Sequence, residues 1–254
     1  MKLNHSFTYF ILILFISVGT VLLWSRQSGM STSVGDRQSE ATKMKQREEE
    51  AKKRFPVADF NEPESPDPTK RAEQKAKKIR HNGLGLVNRT PDADSGGGVF
   101  IPERQFDFPA LPVANSDVIV VGEILDAQAH LSEDKTNVFS EFTVRITNQL
   151  KSNTLLTGKE IVVERLGGYV QYADGRKLLY RIGTAGMPRV GGQYVLFLRF
   201  SNQEFSILTG YEFNEKGVEP LDDSRQFESL RGLSESAFLS QLHDAVSSGK
   251  LPNH

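Results

Sequence analysis

The chain has 254 residues, enough for one domain with accessory segments or for two small ones, with 31 basic and 32 acidic side chains. Charge this near balance makes no electrostatic case for nucleic acid or for an acidic substrate. The absence of cysteine excludes disulfide frameworks, thiolate nucleophiles and cysteine-based zinc or iron–sulfur sites.

A short tail at 1–6 leads into an uncharged apolar run, FTYFILILFISVGTVLLW, from Phe7 to Trp24. Its length is near the lower end of the roughly 17–25 residues that cross a bilayer as a helix. The run ends in Leu22-Leu23-Trp24-Ser25-Arg26, with no small-x-small cleavage site after it. A single-pass, uncleaved anchor is expected, with the lipid bilayer as its partner and Tyr9 and Trp24 at the two interfaces. Lys2 and the terminal amine are countered by Arg26 and Arg37, so the charge bias is nearly level. The shortness of the tail then places it in the cytoplasm and residues 25–254 outside the cytoplasmic membrane.

Residues 25–105 read as a flexible, partly helical linker. Residues 25–36 are rich in Ser and Gly and form a tether. Residues 37–55, RQSEATKMKQREEEAKKRF, favour helix. Glu48, Glu49 and Glu50 precede Lys52, Lys53 and Arg54 by four residues, the order that gives about 0.2–0.5 kcal/mol per pair. The apolar stripe of Ala41, Met44, Ala51 and Phe55 is broken by Glu48 and is too short for a coiled coil, which leaves a solvated stalk. Residues 56–68 form an acidic, proline-rich breaker. Asp67 as N-cap and Pro68 at the first helical position start a second helix, ending near Asn82-Gly83. Lys70, Arg71, Lys75, Lys77, Lys78 and Arg80 against Glu73 make it a solvated spacer or a segment drawn to anionic headgroups or an acidic polymer. Asp92, Asp94 and Glu103 fall at positions 1, 3 and 12 of a calcium loop. Gly96 removes the fifth ligand and Pro91 and Pro102 forbid flanking helices, so no metal site is expected.

From residue 106 to 250 apolar residues become dense and their period turns to two. Strands are expected at 117–124 (DVIVVGEI), 140–147, 160–166 (EIVVERL), 193–200 (QYVLFLRF) and 204–213 (EFSILTGYEF). Ser201-Asn202-Gln203 forms a hairpin loop. A closing helix runs over 234–247 with Phe238, Leu239, Leu242, Ala245 and Val246 on its apolar face. Strands without a βαβ rhythm predict a mainly β fold, an OB-like β-barrel or a sandwich with a C-terminal helix.

The stretch RLGGYVQYADGR, residues 165–176, poses a choice between a phosphate cradle and a hairpin. A cradle needs its glycines to open a helix, and here they lead into tyrosines. Asp174-Gly175 is a strong two-residue hairpin signal. That turn sets Tyr169 opposite Tyr180 and Val170 opposite Leu179. Val170, Tyr172, Lys177 and Leu179 then share one face, and Tyr169, Gln171, Leu178 and Tyr180 the other. Gly158-Lys159 lacks the Ser/Thr and the helix of a P-loop. The histidines have no metal-ligand spacing, no nucleophile motif occurs, and Asp222-Asp223 reads as a turn or cap.

Ser116-Asp-Val-Ile-Val-Val-Gly-Glu-Ile124, followed by Glu141-Phe-Thr-Val-Arg-Ile-Thr-Asn-Gln-Leu-Lys151, resembles the opening of netrin-like and metalloproteinase-inhibitor modules and of bacterial envelope domains of that kind. The likeness continues through Pro188-Arg-Val-Gly-Gly-Gln-Tyr-Val-Leu-Phe-Leu198, over about residues 115–200. It implies an OB-type barrel with a helix near its end. Inhibition of metalloproteinases is not carried over, because it depends on cysteines this chain lacks. The first functional expectation is a membrane-anchored, extracytoplasmic, non-catalytic binding module for a protein or glycan ligand, with Tyr169, Tyr172 and Tyr180 as candidate contacts and no cofactor or metal. The alternatives are an envelope hydrolase with an acidic site built from loops such as Leu131-Ser-Glu-Asp-Lys135, and a structural envelope spacer.

Overall fold

A computed structural model describes residues 55–83, 85, 98–101 by their backbone, 108–152, 156 and 158–248. The anchor expected at 7–24, the stalk helix at 37–54 and the acidic loop residues Asp92, Asp94 and Glu103 lie outside the described residues. Among the described residues no helix is long and apolar enough to cross a membrane. All of them fall in one compact unit, Glu49–His254.

In chain order the elements are β1 (Val57–Asp59), α1 (Pro68–Ile79), β2 (Gly98–Ile101), β3 (Val118–Leu131), β4 (Val138–Lys151), β5 (Glu160–Leu166), β6 (Gly168–Gln171), β7 (Lys177–Ile182), β8 (Gln193–Ser201), β9 (Glu204–Asn214), β10 (Gly217–Pro220), a 3₁₀ turn (Arg225–Leu230) and α2 (Glu235–Ser248). The fold is mainly β with a C-terminal helix, as the patterning predicts. Two sheets form. The larger has the order β10-β9-β5-β4-β3-β8, and β8 also pairs with β9. The smaller has the order β1-β6-β7-β2.

The larger sheet curls because β3 and β4 are long and irregular. Their ladder shifts register near Ile119, Val121 and Ile124, and each bulge bends and twists the pair. The curl brings β9 beside β5, where a parallel ladder forms over only two pairs, Val163↔Phe205 and Glu164↔Ser206. The sheet is therefore not a closed barrel. It is rolled until its sides touch, then splays apart, which corrects the barrel expectation. Inside the roll pack Val120, Ile124, Phe142, Val144, Val163 and Leu196. The apolar run of β8 is buried on both faces, because α2 and the 3₁₀ turn cover its outer side through Phe227, Phe238 and Leu242.

Gly167 and Gly168, at φ 109° and 146°, carry the chain from the larger sheet into the smaller one. A Cβ on Gly167 would strike Met187 Cε and lie 2.8 Å from the Tyr180 carbonyl oxygen. The glycine bend is thus real and the hairpin follows it, but the register differs from expectation by one residue. Tyr169 faces Leu179 and Val170 faces Leu178. The cause is a three-residue loop, Ala173-Asp174-Gly175. Gly175 N–H donates to Tyr172 C=O at 2.9 Å, and Gly175 takes the left-handed conformation at φ 81°. A slip of one residue exchanges faces, so Val170, Tyr172, Leu178 and Tyr180 share the inner one. The two-residue turn with both φ positive is found instead at Asn202-Gln203, φ 53° and 67°, between β8 and β9.

The expected linker supplies part of the fold. β1 pairs in parallel with β6, burying Ala58, and β2 pairs in parallel with β7. α1 starts as predicted, with Asp67 Oδ1 accepting from Thr69 N–H at 2.9 Å and Lys70 N–H at 3.4 Å.

Candidate functional site

α1 buries none of its own residues and is held by charge. Lys77 pairs with Glu141 of β4 and lies 3.5 Å from Glu204 of β9. Arg80 Nη2 donates to Glu204 Oε1 at 2.6 Å, and Arg80 Nη1 donates to the Asn202 carbonyl at 3.2 Å. His81 Nε2 lies 3.0 Å from Glu164 Oε1 of β5, and its ring stacks on Phe139 with centroids 4.0 Å apart. The last turn of the helix and His81 therefore bridge β4, β5 and β9, across the place where the sheet splays.

Below that bridge lies a cleft of about 600 Å³. Its walls are Glu164, Arg165 and Leu166 from β5 and residues 204–208 from β9. Arg199 and Ser201 come from β8, Ile182 and Ala185 from β7 and the loop after it, and Arg80 and His81 from the end of α1. Six of its fifteen lining residues are apolar and nine can hydrogen-bond, a more polar wall than that of pockets built for small apolar molecules. Leu208 marks a break in register, since Ile207 faces Leu198 while Thr209 faces Phe197. Such a bulge re-aims the strand at the mouth of the gap.

Arg165 sits at the inner end of the cleft with only 4 % of its side chain exposed. Nη2 donates to Asp222 Oδ1, which also accepts from Gly186 N–H at 2.9 Å. Asp222 is wholly buried. Arg165 Nη1 and Asp222 Oδ2 have no hydrogen-bond partner. The attraction within a buried ion pair offsets its desolvation fully only when the remaining donors and acceptors are satisfied, so this pair holds one unmet donor and one unmet acceptor beside the gap.

The expected contact tyrosines lie elsewhere, in the smaller sheet. Tyr180 is 1 % exposed, so it has no surface to offer a ligand. Burial, then its hydrogen bond with Tyr172, raises its hydroxyl pKa. Tyr172 shares that bond at 2.5 Å and stacks on Phe60 at 5.2 Å. Tyr169 is half-buried and packs on Phe55 at 5.9 Å. The structure groups Tyr172 and Tyr180 in one apolar cluster and sets Tyr169 on the opposite face.

The Leu131–Lys135 loop docks α1. Glu133 N–H reaches the Lys78 carbonyl at 3.3 Å, and Asp134 N–H reaches Asn82 Oδ1 at 3.1 Å. Slight burial of Asp134 acts to raise its pKa. Hydrogen bonds from Ser132, Thr136 and Gly83 outweigh that and hold it down at about 2, so this carboxylate is an acceptor fixed in a turn. No group of three or more metal-ligating side chains occurs among the described residues.

Arg165 and Asp222 have the strongest claim to function, and neither stands out as a candidate in the sequence reading. A signal for the first was present. Val163 and Arg165 are two apart in a half-buried strand, so an arginine had to share the inward face. For Asp222 no local pattern exists, because its partner lies on a distant strand. A comparison with protein-family models finds none that matches the chain, and a search of curated proteins finds no match.

Proposed function

We propose that this chain is a membrane-anchored, extracytoplasmic binding module without catalysis of its own, and that the cleft between β5 and β9 is its ligand site. The observation that carries this reading is the coincidence, in one cleft, of a splayed sheet seam, a mixed apolar and polar lining, and a buried arginine with an uncommitted donor. The uncharged run from Phe7 to Trp24 supports the anchor. The cyclic pairing β3–β4–β5–β9–β8–β3, with its one short parallel seam, supports an OB-type reading, a five-stranded Greek-key arrangement that is often partly open.

The test uses the full chain in detergent micelles, with Leu208→Cys as its only thiol. Blocking that thiol with a bulky reversible disulfide reagent fills the cleft, and a reductant empties it again. Protein and glycan fractions of the cell envelope are passed over both states. A ligand retained by the open state and released by the blocked one supports the reading. Retention indifferent to the block would sink it. Sedimentation of the native chain with membranes after alkaline washing tests the anchor.

A further inference from the structure

We infer that α1 is a strap over the cleft that acid releases, through an exchange of partners at Glu141 from Lys77 to His130. The inference rests on the cleft being the ligand site and adds what controls entry to it. Register places the acceptors. Glu141 of β4 lies directly opposite Glu164 of β5, and like charges so placed repel. Lys77 bridges Glu141 to Glu204 of β9, Arg80 also pairs with Glu204, and His81 faces Glu164. These acidic side chains therefore depend on the end of α1, and Arg80 and His81 from that end wall the cleft. The helix has no apolar hold of its own, because it buries no residue. The chain is pinned on either side of it. Phe60 stacks on Tyr172, and Gly83 N–H donates to Asp134 Oδ2 at 2.9 Å. Asp134 stays ionised in mild acid, so the strap swings between fixed points and does not leave.

His130 supplies the competing cation. It sits opposite Phe139 in the β3–β4 ladder, on the same face as Glu141. Its Nε2 lies 3.2 Å from Glu141 Oε2 but makes no hydrogen bond. A proton there completes a charged pair with Glu141. With α1 docked, that proton is opposed by burial and by Lys78 and Lys77. With α1 lifted, both lysines withdraw and Glu141 is left with His130 alone. The other cations on this side of α1 have partners, since Lys78 faces Glu62 at 3.6 Å and Lys75 faces Glu133 at 3.3 Å. His81, across the Phe139 ring, works in the opposite sense. Its own proton strengthens the contact with Glu164 and holds the strap down. At His130 the lifted arrangement binds a proton more readily than the docked one, so acid favours lifting.

The chain has no cysteine, so Gln74→Cys on α1 and Val162→Cys on β5, both at exposed sites, take a pair of spin labels in the full chain in micelles. One distance is expected at pH 7.5. At pH 5 a longer one should appear, its share relative to the first rising by up to about thirtyfold, for an imidazole moving from about 4 toward 6.5. His130→Gln should cut that rise several-fold, and His81→Gln should enlarge it. Lys77→Gln should populate the longer distance already at pH 7.5. Circular dichroism confirms that each variant is folded. Histidine NMR of the chain without labels needs no His130 variant, and there Lys77→Gln should move the His130 midpoint up, by reciprocity. One distance at both pH values overturns the acid-released strap. An equal rise in His130→Gln assigns the opening to carboxylates and overturns the partner exchange, as does a His130 midpoint indifferent to Lys77→Gln. The labels report α1 and not the occupant, so these failures leave the cleft as the ligand site. Ligand retention indifferent to the Leu208→Cys block removes the ligand site and leaves the moving strap.

Discussion

At the scale of single residues, two buried titratable groups determine how the protein responds to substitution and to pH. Asp222→Ala would leave Arg165 charged, buried and without its partner. The expected loss is about 3–5 kcal/mol, read from urea denaturation. Replacing both residues, Arg165→Met with Asp222→Leu, should recover most of it, because no isolated charge then remains. His130 is 7 % exposed. Burial, then repulsion from Lys78 and Lys77, pushes its imidazole down to about 4. Glu141 Oε2 lies 3.2 Å from its Nε2, but Lys77 holds that carboxylate, so burial prevails. In the unfolded chain the imidazole titrates near 6.5. Between pH 6.5 and 4 the unfolded state binds more protons, so stability is lost as pH falls through that window. The loss reaches about 3 kcal/mol below pH 4. His130→Gln should flatten the pH dependence of the urea midpoint over that range. An unchanged slope would assign the acid sensitivity to carboxylates.

At the scale of elements, α1 and the glycine bend are the parts whose roles can be isolated. The bridge from α1 to β4, β5 and β9 consists of partly exposed ion pairs, which salt screens. Raising ionic strength to about 1 M, or introducing Lys77→Gln with Arg80→Gln, should speed hydrogen exchange at residues 204–208. The variant should lose about 1 kcal/mol of stability and most of its salt sensitivity. Gly167→Ala places a Cβ at positive φ against Met187 and the Tyr180 carbonyl. It should cost roughly 1–3 kcal/mol and disturb the sheet-to-sheet crossing before it disturbs the cleft. The strands themselves were largely legible. Residues 160–166, 193–200 and 204–213 announced their bounds through period-two patterning, because a half-buried strand cannot hide its alternation. The hairpin register was not. Asp174-Gly175 fits a two-residue and a three-residue loop equally well, and only packing of Tyr180 into the inner cluster selects between them. The charged helix was read correctly as a helix and incorrectly as a spacer. A helix docked by ion pairs has no apolar stripe to reveal its contact face.

At the scale of the whole molecule, the composition change at residue 106 is not a structural boundary. A fragment of residues 106–254 keeps the dense β pattern yet loses β1, α1 and β2. It exposes the edge of β6, leaves Glu141 and Glu204 without Lys77 and Arg80, and leaves Glu164 without His81. It should melt at a lower temperature than a fragment beginning at residue 49 and associate through its bared edges. Equal melting temperatures and monodisperse behaviour in both fragments would restore the linker reading. The docking of early segments on late ones also bears on assembly during synthesis. Val57 pairs with Tyr169, and Lys77 and Arg80 reach Glu204, so β1 and α1, made before the sheets they dock on, are among the last elements to find their places. Contacts so distant in sequence slow the final step of folding. The polar surface of α1 suits it to that delay. A helix that buries no residue can stay in water without recruiting neighbours, while an apolar one would invite aggregation. Newly made chains should therefore pass through a stage in which the rolled sheet is complete and the seam lies uncovered.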